Sequence, residues 1–455
     1  ESVTEESVTE VSVTEESVTE ESVTEESVTE EIDVIQNLVE NEEAIESFIS
    51  NDQNGEIDKI NYIDLCHGMG GFRYALDNYK GDVNFNCVYS ADIKKSAIST
   101  YNLNFNENES KKDINDITNL PPFNLLCAGF PCQPFSSAGN KKGMTDKRGQ
   151  LIFKIIDICQ KYKPEHIILE NVSNILKING GKCMSIIIEE FNKIGYHISY
   201  KLLNARKFGI PQDRKRLFIV GCLSKKIDLE KIKYKPENNL DIVIDNSLKY
   251  NDFDDSLIKK LTSLDNKLHG VKLQDYRAGP NNIHTWELEL KGSLTEKEKE
   301  IMNIIVKERR KKTWEKMMGL KNTDGIPLTY DIINKFYLEP DLKSVLDNLV
   351  KLKYLHYVKI NEEHHGYTIK TGKLSIPFNR ILDPNGYAPT LTATDCCKLV
   401  VLIDNKYLRR LSTKELNRVC GFPDNFKIPD GVNKYDLYGN MVIPTIVDSV
   451  LDVMF

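Results

Sequence analysis

Long apolar runs are missing from this 455-residue sequence. None reaches the roughly 18 residues that cross a bilayer, which excludes a membrane-spanning helix. Cys-x-x-Cys clusters are missing too, although ten cysteines are present. Their spacing excludes a zinc ribbon and points to free thiols in a reducing, cytoplasmic setting. Cys396-Cys397 has no second pair of ligands nearby, so no metal is expected. The N-terminus has neither a basic segment nor an apolar core and, as it stands, does not read as a secretory signal. Basic charge is nearly absent from residues 1–60, where Lys59 stands alone against 20 Asp and Glu, a balance of −19. The whole chain is at −8, so residues 61–455 carry +11. Such asymmetry describes an acidic extension on a body able to meet a polyanion.

What is present falls into unlike segments. Residues 1–30 are six ESVTE pentads, one of them a variant beginning at Val11. A period of 5 fits neither helix nor strand and makes no continuous apolar face, so this stretch reads as disordered. Residues 31–50 carry Ile32, Ile35, Val39, Ile45, Phe48 and Ile49 at roughly helical spacing, and residues 51–55 read as a linker. From about residue 60, short apolar runs alternate with amphipathic stretches: 62–66, 87–91, 124–128, 166–170 and 217–222 as strands, 151–162 and 182–194 as helices. That alternation predicts an α/β fold with a mostly parallel sheet, whose ligands sit at the carboxyl ends of the strands. Residues 225–390 break the rhythm. One helix is predicted there, from the capping box Thr295-x-x-Glu298 to Gly319, with Arg309, Arg310, Lys311 and Lys312 in a row. A second capping box, Ser412-x-x-Glu415, opens the helical last segment.

Four blocks, and the acid Asp92 that accompanies the first of them, carry chemistry. Asp64 to Phe72 (DLCHGMGGF) ends the first strand, and Gly68, Gly70 and Gly71 permit positive φ and close backbone approach. Asp92 ends the second strand, where an acid can hold ribose hydroxyls. Cys132 lies between Pro131 and Gln133-Pro134 after an apolar strand, a rigid setting for a nucleophile. Glu170 ends a later strand, where a buried carboxylic acid can protonate a ring nitrogen. In Gln212 to Arg216 (QDRKR), alternation puts Arg214 and Arg216 on one side of an extended segment. Each block alone is also compatible with a purely structural role.

Taken in order, DLCHGMGGF, GFPCQPFS, ENV, QDRKR, RRLSTKELNRVCGFPDNF and YGNMVIP resemble the carbon-5 cytosine DNA methyltransferase family. The resemblance covers 61–224 and 385–455 and reaches 225–384 by position only. It implies a Rossmann-like S-adenosylmethionine-dependent methyltransferase sheet with a smaller target-recognition domain. The implied layout is a tail and linker at 1–58, a catalytic domain at 59–224, a recognition domain at 225–431 and a returning helix at 432–455. It implies Cys132 as nucleophile at carbon 6 of the cytosine and Glu170 at ring nitrogen 3. Arg214 and Arg216 would hold the base and the catalytic loop. S-adenosylmethionine would lie against Asp64, Leu65, Cys66, Gly68, Gly70, Gly71 and Phe72, with Asp92 and Ile93 at the ribose and its neighbour. Asp113 and Ile114 would meet the adenine, although Asp116-Ile117 repeats that dipeptide; Leu151, Asn440 and Met441 complete the pocket. DNA contacts are expected from Gln133, Ser136 and Arg148 on a closing loop, from Gln274 and Arg277 in the recognition segment, and from Thr390-Leu391.

Three positions depart from the family pattern. Cys66 stands where an aromatic is usual, His67 where Ala is common, and Ile93 where an aromatic often follows the acid. They imply a reshaped cofactor site. The expected partner is double-stranded DNA, with the chain a monomer, no membrane, and a cognate restriction endonuclease left open. A tRNA-methylating relative and an inactive DNA-binding homologue are the alternatives.

Overall fold

Apolar strands that bury both faces organise the molecule. In the computed structural model, residues 59–131, 150–264, 268–320, 325–370 and 377–455 are described. The ESVTE repeats, the helix expected at 31–50, and the residues Cys132, Gln133, Ser136 and Arg148 lie outside the described residues. The first elements are β1 (Lys59–Leu65), α1 (Gly71–Asp77), β2 (Asn84–Ala91), α2 (Lys95–Phe105), β3 (Leu125–Gly129), α3 (Gln150–Tyr162), β4 (His166–Val172), α4 (Lys182–Lys193), β5 (His197–Asn204), β6 (Gln212–Asp213) and β7 (Lys215–Cys222).

Six of these strands form one sheet in the order β2-β1-β3-β4-β7-β5. The pairings from β2 to β4 are parallel, whereas β7 is antiparallel to both β4 and β5. Side chains alternate between two cores, as a period of two requires. Leu125, Cys127, Ile168, Phe218 and Val220 enter one. Leu126, Ala128, Ile167, Leu169, Leu217 and Ile219 enter the other. Strand β5 was not foreseen in the sequence, because its exposed Tyr200 and Leu202 blur the alternation. The connection leaves β1 toward β2 on one side while β3 lies on the other, which opens a crevice at the carboxyl ends of β1 and β3.

The recognition segment has two small cores. One surrounds α5 (Asp255–Thr262) and a five-stranded sheet. That sheet contains β8 (Lys272–Leu273) and β9 (Asn282–Ile283). The other core is formed by α6 (Glu296–Glu308), α7 (Lys312–Met317), α8 (Tyr330–Phe336), α9 (Leu342–Lys351) and the hairpin β10 (Leu355–Lys359)–β11 (His365–Ile369). The chain then returns through β12 (Arg380–Ile381), β13 (Ala388–Pro389), β14 (Leu399–Ile403) and β15 (Tyr407–Arg410).

The capping box at Thr295 and Glu298 forms, but the expected helix 295–318 is broken at Arg309. Ile326 donates its amide to the Arg309 carbonyl at 2.8 Å, and the Arg309 guanidinium is buried and bonded to the Gly325 carbonyl. Tertiary contact therefore ends the helix, and the basic run is not one solvated face. The last helices are α10 (Thr413–Val419), α11 (Lys434–Asn440) and α12 (Pro444–Met454). Leu411, Leu416, Phe422 and Phe426 share a core with Phe72 and Ala75 of α1. Residues 411–431 thus pack against α1 of the catalytic body. Among the described residues, Lys434–Met454 is the one stretch long and apolar enough by composition to span a bilayer, and it is mostly buried in this core.

A half-buried carboxyl on α12 has a measurable consequence. Burial pushes the Asp448 carboxyl up from 3.8 to about 6, with Asp452 four residues on adding to the effect and Lys235 opposing it. The folded pKa lies above the unfolded one, so stability is fully present below about pH 4 and is lost as pH rises through about 6. Asp448→Asn should raise stability by about 1–3 kcal/mol at pH 8 and change nothing at pH 4. Urea midpoints at the two pH values check it; equal gains at both would contradict the assignment.

Candidate active site

The site is built where β1, β2, β3 and β4 end. After Leu65 the chain turns sharply, with Cys66 at φ 54°, Gly68 at 58° and Gly70 at 89°. A Cβ on Gly71 would lie 2.2 Å from the Val442 carbonyl oxygen, so glycine is required where α1 meets the chain before α12. Asp92, just after β2, accepts from the Gly68 amide at 3.0 Å and from the Lys94 amide at 2.8 Å. Lys112 donates its amide to the Asp92 carbonyl, which brings the Asp113 turn beside Asp92. Asp113 caps a short 3-10 turn and Ile114 is buried beneath it. This places the first of the two Asp-Ile dipeptides, 113–114, next to the loop.

Three carboxylates surround Cys66. Burial raises its thiol well above the ordinary range, and Asp92, Asp64 and Asp113 add to that. The thiol is therefore held neutral. Asp64 is fully buried, and neither carboxylate oxygen has a hydrogen-bond partner among the described residues. Burial raises its pKa strongly against the pull of Arg73. His67 is buried against the Tyr101 ring, 4.0 Å between centroids. Burial lowers its pKa, so the ring packs as a neutral imidazole, and its Nδ1 lies 2.9 Å from the Gly68 carbonyl. It occupies a packing position.

A cationic sulfonium cofactor suits a glycine turn ringed by acids. Cys66, Gly68, Asp92, Asp113 and the exposed Ile93 and Asn440 form its accessible edge. Leu65, Phe72 and Met441 are buried in the core, so they support this edge from behind. Leu151 is half-buried on α3 and packs against the second core.

Glu170 and Arg216 meet because Val172 lies opposite Arg216 in the antiparallel β4–β7 pair, and alternation puts residue 170 on the same face. Arg216 Nε is 3.1 Å from Glu170 Oε1, an ion-pair distance without hydrogen-bond alignment. Burial raises the Glu170 pKa, opposed by Arg216 and Arg214. The acid is thus poised to hold a proton while remaining beside a cation. Gly129 is in register with Glu170, and Asn171 Nδ2 donates to the Phe130 carbonyl at 3.0 Å. Asn171 was overlooked in the sequence; it holds the chain that leads through Pro131 toward Cys132.

Arg214 does something other than expected. It is buried, 1 % exposed, and donates to the carbonyls of Leu391 (3.0 Å), Gly439 (3.1 Å) and Met441 (2.6 Å). Burial pushes its pKa down to about 10, with Arg216 adding to the effect. Every one of those bonds goes to backbone, so Arg214 ties three chain segments together. Thr390 and Leu391 also change role. Strand β13 pairs with β6, Leu391 is fully buried, and its amide donates to Gln212 Oε1, while Thr390 Oγ1 donates to the Asp213 carbonyl. This element is a structural lock on the Gln212–Arg216 segment. Gln212, itself fully buried, was read only as a neighbour of the arginines. In the recognition segment Arg277 is exposed beside Tyr276, and Gln274 is half-buried with its backbone in the β8–β9 pairing.

The order of these blocks has a match. Residues 60–455 fit the family model of the C-5 cytosine-specific DNA methylases. The chain belongs to that family. It is accordingly a DNA cytosine-5 methyltransferase, and its methyltransferase class implies S-adenosylmethionine as methyl source. Among similar curated proteins, the Type II methyltransferase M.NlaIV of Neisseria lactamica is 39 % identical over 418 residues, covering 86 % of this chain and 98 % of its own. M.NgoBV of Neisseria gonorrhoeae is 38 % identical over 418 residues, 86 % and 98 %. M.BanI of Aneurinibacillus aneurinilyticus is 36 % identical over 423 residues, 87 % and 96 %. The family model's match runs through the recognition segment.

Proposed function

We propose that this methylase acts on one cytosine within a short duplex DNA site, after that base has left the stack. Cys132 adds to carbon 6 and Glu170 engages ring nitrogen 3. Carbon 5 then becomes nucleophilic and takes the methyl. Loss of the carbon-5 proton to a base and departure of the Cys132 sulfur restore the ring. S-adenosylmethionine, when bound, supplies the electrophilic methyl; Asp92 and Asp113 orient it, and Gly68 and Gly70 allow its close approach. The observation that carries the reading is the buried Glu170–Arg216 pair at the end of β4, with Asn171 holding the chain before Pro131. Relatives named as Type II methyltransferases support a restriction-modification setting; we also take the enzyme as a cytoplasmic monomer, with a cognate endonuclease left open.

Bisulfite sequencing of DNA from a host expressing the chain tests this reading. Protected cytosines at one recurrent short sequence are expected; full conversion everywhere, with methylated tRNA instead, would overturn it. Glu170→Gln should lower turnover by about 10²–10⁴-fold, since the amide cannot deliver a proton. DNA affinity should stay within a few-fold in a filter-binding assay. A variant that turns over normally would remove Glu170 from the chemistry.

A further inference from the structure

Two cations face each other in the five-stranded sheet of the recognition segment. Arg380 of β12 is in register with Lys272 of β8 in an antiparallel pair. The flanking bonds run from the Leu273 amide to the Asn379 carbonyl (2.9 Å) and from the Ile381 amide to the Val271 carbonyl (3.0 Å). That pattern makes 272 and 380 a non-hydrogen-bonded pair, the position where two antiparallel chains approach most closely and side chains crowd. Like charges directly opposite in a sheet are destabilising. Nothing nearby relieves them: among the described residues, no carboxylate forms an ion pair with Lys272, Arg380 or the neighbouring Arg277. The adjacent residues Leu273 and Ile381 point into the core, so the two cations share the opposite, solvent-side face.

We propose that Lys272 and Arg380, with Arg277 beside them, clamp one backbone phosphate of the bound duplex. The inference rests on the DNA-methylating reading above and assigns residues within it. A phosphate fits better than a base edge for a simple electrostatic reason. A guanine edge accepts hydrogen bonds but is neutral, so it leaves the repulsion of two cations in place; an anion removes it. Arg380 is half-buried, and burial lowers its pKa; burial lowers that of Lys272 as well, with Arg380 and Arg277 adding to the effect. Both cations are thus held in an unfavourable state that an anion would relieve. Arg380 is half-buried on a strand paired on both sides, while Lys272 and Arg277 are exposed and approach from the rim.

The test uses the full chain, a duplex containing the methylated site and a scrambled duplex, with affinity measured across salt concentrations. Lys272→Gln/Arg380→Gln should weaken both duplexes by the same factor, about tenfold or more at 50 mM salt. The slope of log affinity against log salt should become shallower by about 1. Arg380→Lys should recover part of the loss. Without DNA, the double variant should melt no lower than the parent, since it relieves repulsion. An unchanged salt slope overturns the proposal, as does weakening confined to the specific duplex, which would make the pair a base reader. A lower melting temperature also overturns it, by revealing a structural partner. If the parent protein binds neither duplex, the DNA reading itself fails, an outcome distinct from a parent that binds and a variant that matches it.

Discussion

Arg214→Ala lowers the stability of the catalytic body by about 3–5 kcal/mol and leaves little active enzyme. The guanidinium is the hub between β7, the Thr390-Leu391 element and the chain joining α11 to α12, through its bonds to three carbonyls. Each carbonyl left without a donor in the core costs about 1–3 kcal/mol. No space exists for the chain to close up: a Cβ on Gly439 would already lie 2.3 Å from the Ala393 amide nitrogen. Lysine is a poor replacement, because a single ammonium cannot present a planar fork to three acceptors. Arg216 offers the contrast. Its side chain is 11 % exposed and its ion pair with Glu170 lacks alignment, against three carbonyl bonds for Arg214, so Arg216→Ala should cost less stability than Arg214→Ala while impairing turnover. Urea midpoints separate the two arginines. An Arg214→Ala protein that unfolds with the parent would refute the lock.

Cys132→Ala abolishes methyl transfer, with a loss on the order of 10⁴-fold or more, because no other group supplies the carbon-6 bond. The proposed cofactor site is built without that thiol. Its glycine turn, Asp92 and the Asp113 cap are held by β1, β2 and their own hydrogen bonds. Cofactor binding by calorimetry should therefore remain within a few-fold of the parent. Residual methylation of even one part in a hundred, under single-turnover conditions, would assign the nucleophile elsewhere. Cys66 is no substitute, since burial and three nearby carboxylates keep its thiol protonated.

Most of the site was legible because its residues end short apolar strands, and strand ends are marked by local composition. Asp64, Asp92, Gly129 and Glu170 all lie there, and parallel pairing alone brings them to one edge. Roles that depend on distant partners were not legible. Arg214 looked like a base contact until the β6–β13 pairing brought Leu391 over it, 177 residues away in sequence. Leu391 looked like a DNA contact for the same reason. The helix from Thr295 began as its capping box predicts, yet its end depends on Gly325 and Ile326, which no local pattern announces. The opposed Lys272 and Arg380 belong to strands more than a hundred residues apart, and only the register reveals them.

DNA carrying 5-fluorocytosine at the methylated position gives the most direct test of the covalent mechanism. Fluorine at carbon 5 cannot leave as a proton does, so the sulfur bond to carbon 6 should persist. Incubated with S-adenosylmethionine, the parent protein should form a denaturant-resistant adduct whose peptide map places the DNA on Cys132, and Cys132→Ala should form none. An adduct that survives in Cys132→Ala, or a parent that methylates ordinary DNA yet never traps the fluorinated duplex, would contradict the account.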